Sequence, residues 1–131
     1  MYGMLTMKIF KKTLTALLMM SAMVSGAALA NSAGDAKVRA AGELTLAKTE
    51  EAVALLEKGG DKAQVLQLLG EVRQSQKEFR YEQTERLRQK AGDALRIGRE
   101  ELEKGDANAL TSLKKALGFY KEMFVVYNAA H

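Results

Sequence analysis

Few side chains in this 131-residue sequence could do chemistry, and their spacing narrows what they could do. The carboxylates come in groups: Glu50 with Glu51, Glu82 with Glu85, and Glu100 and Glu101 with Glu103. Glu82 and Glu85 stand one helical turn apart, where two carboxylates can share a hard cation. They are the weak candidate metal ligands. Arg80 and Arg86 lie beside them, so a solvated face, or the turn itself, accounts for the same residues. A di-metal helical site uses Glu-x-x-His elements, and His131 is the single histidine. Ser32, Ser75 and Ser112 have no histidine or clustered base near them in the pattern, and cysteine is absent. No nucleophile–base pair assembles from these residues. The expectation is therefore a protein that is not an enzyme, with no catalytic and no cofactor-binding residues. Covalent haem requires C-x-x-C-H and is excluded. Non-covalent haem requires axial ligands that face the interior, and Met123 and His131 fall at one extremity of one segment.

The aromatic residues are a better guide. Beyond position 30 they are Phe79, Tyr81, Phe119, Tyr120, Phe124 and Tyr127. Phe79 and Phe124 fit an apolar stripe, whereas Tyr81, Phe119 and Tyr127 fall off it. Those three are the candidate partner surface; the alternative is a core plug whose tyrosine hydroxyls reach water. Four glycines, Gly70, Gly92, Gly98 and Gly118, interrupt helical patterns. Gly92 and Gly98 would let backbones approach or leave room for a small apolar ligand, while Gly70 and Gly118 read as tolerated surface positions.

Residues 1–30 read as a signal peptide, with Met7 the better start. MKIFKKTLTALLMMSAMVSGAALA (7–30) has basic Lys8, Lys11 and Lys12, an uncharged apolar run from Leu14 to Val24, and a small-x-small site at Ala28-Leu29-Ala30. An uncleaved N-terminal anchor is the alternative. Cleavage implies a periplasmic or secreted protein with no membrane attachment afterwards. The formal charge is +4, but three lysines and no acid precede Asn31, leaving 17 basic against 16 acidic side chains. Nucleic acid is not an expected partner of so balanced a chain. With no cysteine there is no disulfide staple, so residues 31–131 must stabilise one domain by burial.

The elements that position these residues are helices. Proline is absent, Ala, Leu, Glu, Lys and Gln abound, and no stretch alternates with period two. Two stretches, LLEKGGDKAQ (55–64) and ELEKGDANAL (101–110), repeat one punctuation mark. Gly59 and Gly105 follow apolar helical patterns as left-handed C′ residues. Lys58 and Lys104 face the negative helix end, and Asp61 and Asp106 are expected N-caps. Each stretch is an αα-hairpin turn. Aligned on the two Asp residues, Val65, Leu68, Val72 and Phe79 match Leu110, Leu113, Leu117 and Phe124. Upstream, Thr45, Thr49, Ala52 and Leu56 match Ala91, Leu95, Gly98 and Leu102. The predicted fold is all-α: an antiparallel up-down-up-down four-helix bundle in one domain, residues 31–131. Its hairpins span about 34–80 and 84–128, with helices at about 34–58, 61–80, 84–104 and 106–128. FRYEQTERL (79–87) lacks Gly, Pro and Asn. A tight turn there, with Thr84 as cap, is the preferred reading. A continuous helix from Asp61 to Lys104, completed by a second chain as a swapped homodimer, is the other.

The twofold pattern of LAKTEEAVALLEKG (46–59), a Gly–polar turn and a second helix, behind a leader, resembles the small metal-binding proteins of bacterial periplasms. The likeness covers most of 38–123. It implies a four-helix bundle and an exported binding role, with copper, nickel or zinc as cargo. The histidine-rich positions of that family read Lys48, Leu55, Gln67 and Gln74 here, so no metal ligand carries over. LEKGGDKAQV (56–65) is similar to the first turn of the soluble periplasmic b-type cytochrome, a bundle that holds haem between a Met of its first helix and a His of its last. Leu46 and Val125 or Lys121 stand in those places. The functional expectation is a non-catalytic binding protein. A structural or chaperone-like interaction module is the alternative and a haem-binding bundle the third.

Overall fold

The computed structural model describes residues 33–131. The leader, Met7, the cleavage site and Ser32 lie outside the described residues. Lys37–His131 form one compact unit, and α1 begins just ahead of it. The helices are α1 (Ala33–Glu57), α2 (Lys62–Lys77), α3 (Glu85–Lys104) and α4 (Ala109–Ala130), with a 3-10 turn at Glu82–Thr84 before α3. None of the described helices is long and apolar enough to cross a membrane.

The repeated stretches form the same turn twice. Gly59 has φ +70° and Gly105 φ +74°, values that a side chain would strain. After α1, the Gly60 N–H donates to the Leu55 carbonyl and the Gly59 N–H to that of Leu56. After α3, Asp106 donates to Glu101 and Gly105 to Leu102. Both are Schellman motifs, and they satisfy carbonyls the helix ends would leave unpaired. The two Asp residues then diverge. Asp61 caps α2 as expected, accepting from the Ala63 N–H at 3.3 Å. Asp106 is not the cap of α4: it accepts from Asn108 N–H at 2.9 Å, the chain makes one further i→i+3 turn, and α4 starts at Ala109.

That extra turn rotates α4. Its buried face is Ala109, Leu113, Ala116, Tyr120, Met123 and Tyr127, spaced alternately four and three apart. The predicted Leu110, Leu117 and Phe124 are half-buried flankers, and only Leu113 of that set is fully in the seam. Of the other three stripes, Thr45, Thr49 and Ala52; Val65, Leu68, Val72 and Phe79; Ala91, Leu95, Gly98 and Leu102 are buried, and Leu56 of the first is half-buried.

Cross-helix contacts step in opposite directions on neighbouring helices. Lys37, Thr45 and Lys48 meet Glu78, Ser75 and Glu71. Arg39, Glu50 and Glu57 meet Asn128, Lys121 and Lys114. Gln76 lies beside Gly92, while Lys62 reaches the Glu103 carbonyl. The order is up-down-up-down, and the core is closed within the chain. α2 ends at Lys77, three residues before the predicted boundary. The last turn tightens to i→i−3 bonds, Phe79 becomes fully buried, and Thr84, also fully buried, donates to the Tyr81 carbonyl at 2.9 Å. The 78–84 segment is thus a turn, and Thr84 occupies the N-cap position of α3 without capping it through its side chain.

Two helix glycines mark close approach. A Cβ on Gly98 would lie 2.6 Å from Leu113 Cδ2, drawing α3 against α4. One on Gly42 would meet the rings of Phe79 and Phe124. Gly70 and Gly118 have nothing within 4 Å of that position, as their surface reading requires.

Candidate functional site

Two regions gather candidate side chains: the aromatic end and a cleft between α2 and α3. At the aromatic end, Phe79 and Tyr81 of the α2–α3 turn meet Phe124 and Tyr127 of α4. Phe79 packs edge-on to Phe124 and Tyr127 at 6.2 and 5.2 Å between centroids, and Tyr81 packs edge-on to Tyr127 at 5.3 Å. His131 stacks on Tyr127 at 4.1 Å, and its Nδ1 shares a hydrogen bond with the Tyr127 carbonyl. Arg39 of α1 lies over the Tyr127 ring, 5.2 Å from its centroid, with Nη1 donating to Asn128 Oδ1.

This packing corrects part of the candidate partner surface. Tyr127 is only 1 % exposed, because the helix rotation places it in the α4 seam among Phe79, Phe124, Tyr81 and His131. Tyr81 and Phe119 are half-buried and packed against the core, so neither is a freely presented ring. Tyr120, read from the sequence as one of the group without a role of its own, is a core residue.

The carboxylate pair also resolves differently. Glu82 is exposed on the 3-10 turn, while Glu85 opens α3 and accepts two hydrogen bonds from Arg88, at 2.7 and 3.0 Å. That bidentate bond holds the Glu85 carboxyl below its usual range, against the opposing effect of burial. The neighbour that answers Glu85 is thus Arg88, one turn along the same helix, and not the adjacent Arg86. Among the described residues no three His, Cys, Asp or Glu side chains gather as metal ligands. Ser75 and Ser112 serve the scaffold. Ser75 bridges Thr45 Oγ1 at 2.7 Å and the Val72 carbonyl, and Ser112 donates to Glu101.

The second region was not singled out by sequence reasoning. Between α2 and α3 lies a cleft of about 380 Å³ whose polar lining includes Arg73, Gln76, Arg88, Arg96 and Arg99. Four of the chain's seven arginines meet there, with Asp93 the one acid among the lining residues. Leu69 and Leu95 also line it, and Gly92 opens it: a Cβ at that position would approach the Gln76 amide nitrogen at 3.2 Å. The room beside Gly92 is therefore lined by apolar side chains, Leu69 and Leu95, together with arginines.

The core fixes one side of this cleft. The Tyr120 hydroxyl donates to Gln76 Oε1 at 2.6 Å, which leaves the Gln76 amide nitrogen nearest Gly92. Burial pushes the Tyr120 phenol far above its ordinary range, so it stays a neutral donor. Arg88 is held by Glu85 through Nε and Nη2, and Arg96 pairs loosely with Glu100 at 3.5 Å. Both acids are on α3 itself.

One signal for the cleft was present in the sequence. Arg88, Gly92, Arg96 and Arg99 fall four, four and three apart, a second stripe on α3 beside the apolar one. No family model, curated protein or solved structure matches the chain.

Proposed function

We propose that this chain is an exported, non-catalytic binding protein of the bacterial periplasm that carries a small ligand. The α2–α3 cleft is the observation that carries this reading. Its volume, about 380 Å³, falls in the range of small-molecule sites, and it combines a few apolar residues with several convergent polar donors. The leader pattern of residues 1–30 supports export. The scaffold roles of Ser75 and Ser112 support a binding role over hydrolysis. The likeness to small periplasmic metal-binding bundles supports the same cell compartment and a carrier role, without supplying metal ligands. The interaction-module reading draws less support, since Tyr127 is buried and Tyr81 and Phe119 are packed against the core.

Native mass spectrometry on protein purified from its own cells tests this. The expected spectrum shows the mass of Asn31–His131 together with a heavier, non-covalent species that disappears on activation in the gas phase. A single bare mass, at every collision energy, would sink the carrier reading.

A further inference from the structure

The charge pattern of the helix seams differs from one seam to the next. Between α1 and α2, Lys37 meets Glu78 at 3.4 Å and Lys48 meets Glu71 at 3.1 Å. Between α1 and α4, Lys114 meets Glu57 at 2.9 Å and Lys121 meets Glu50 at 4.0 Å. Each of these seams sets a cation against an anion. Between α2 and α3, no ion pair crosses among the described residues, although Lys62 reaches a backbone carbonyl at one end. Instead Arg73 of α2 and Arg88, Arg96 and Arg99 of α3 line the same cleft from both sides.

Like charges lining a gap from opposite walls repel unless something of opposite sign lies between them. Arg73 and Arg99 have no ion-pair or hydrogen-bond partner among the described residues, so their donors are free for such a group. The residue type matters as well. The guanidinium is a planar fork of donors that matches the oxygens of a phosphate or carboxylate two at a time. The Gln76 amide, fixed by Tyr120, adds a neutral donor near Gly92. Arg88 is paired with Glu85 and Arg96 loosely with Glu100, which leaves Arg73 and Arg99 with Asp93 as the one carboxylate among the lining residues.

We propose that the α2–α3 cleft binds a small multivalent oxyanion, held between Arg73 and Arg99 with Arg96 and the Gln76 amide beside it. The assignment rests on the binding role proposed above and names its ligand class. Phosphate-type and polycarboxylate-type anions share the chemistry the forks recognise, so both are tested.

Isothermal titration of the purified protein at low ionic strength, with inorganic pyrophosphate in one arm and citrate in the other, distinguishes the sources. Saturable heat with either anion is expected. The double variant Arg73→Gln/Arg99→Gln should weaken that binding by about tenfold or more, as loss of charge-assisted hydrogen bonds does. Lys115→Gln, on an exposed position of α4, should leave it within about twofold. Circular dichroism of the double variant should match the parent, since both side chains sit at the edge of the fold. Two results would overturn the assignment: no heat with either anion at millimolar concentration, or unchanged affinity in the double variant. A native mass spectrum with neutral or cationic cargo, beside silent titrations, overturns the oxyanion and leaves the carrier role intact. A bare spectrum beside anion binding that the double variant loses removes the resident cargo and sustains the oxyanion site.

Discussion

Gly98 and Gly118 are both helix-interior glycines with opposite surroundings, and substitution should separate them. At Gly98 a methyl group would press on the Leu113 side chain at 2.6 Å and on its backbone nitrogen at 3.3 Å. Gly98→Ala should destabilise the protein by about 1–3 kcal/mol, the usual cost of overpacking a close helix contact. Gly118→Ala meets nothing within 4 Å and should stabilise by about 0.5–1 kcal/mol through helix propensity. Urea midpoints of the two variants check both signs. Tyr120 offers a pH test. Below about pH 10 the phenol is neutral in the folded and the unfolded chain alike. Above that, the unfolded chain ionises while burial keeps Tyr120 protonated in the fold, so its contribution to stability is lost as pH rises. Tyr120→Phe should cost about 1 kcal/mol near neutral pH, where Gln76 Oε1 loses its donor, and should flatten the alkaline decline. Unfolding midpoints at about pH 7 and pH 11 give both numbers. The glycine roles were legible in the sequence because propensity marks an odd residue. Which glycine is pressed and which is free depends on the facing helix, and that is not a local property.

Among the elements, the two hairpin turns were legible and the turn between the hairpins was less so. Gly59 and Gly105 with their flanking Lys and Asp residues carry local reasons to stop a helix, and both form Schellman motifs. Residues 78–84 carry no such residue. The chain breaks there because Phe79 and Thr84 find full burial on either side of Tyr81, a tertiary reason. Thr84→Val keeps the shape and removes the hydroxyl that donates to the Tyr81 carbonyl. It should cost about 0.5–1 kcal/mol, measured by thermal unfolding, because the carbonyl loses one of its two donors and keeps the Thr84 N–H at 3.0 Å. A loss near zero would mean that packing of Phe79 alone holds the turn. The phase of α4 was hidden for a related reason. One additional i→i+3 turn after Asp106 shifts every later residue, which carries Tyr127 into the seam and Leu110, Leu117 and Phe124 to its edge. A repeat aligned on caps cannot register a change in pitch between cap and helix.

At the scale of the whole molecule, the helices are joined by a core they share, but their seams are not electrostatically alike. The α1–α2 and α1–α4 seams carry opposite charges across the gap, and the α2–α3 seam gathers arginines on both walls. The sign of a charge reversal should therefore depend on the seam. Lys48→Glu places a second anion beside Glu71, replacing a 3.1 Å pair between partly exposed groups with a repulsion. It should destabilise by a few tenths to about 1 kcal/mol, the scale of exposed pairs. Arg73→Glu places the first anion on the α2 wall of a cleft that Arg96 and Arg99 line from the other side. It should stabilise by a similar amount, since it converts a repulsive seam into an attractive one. Differential scanning calorimetry in low salt and in about 0.5 M NaCl reads both, and the salt should shrink both shifts, because these charges lie within reach of screening ions. Opposite signs in low salt that converge in high salt would establish the asymmetry as a property of the folded chain, independent of any bound anion. Equal signs would mean that the guanidinium groups around the cleft turn away from one another into solvent, and that the repulsion on which the asymmetry depends is absent.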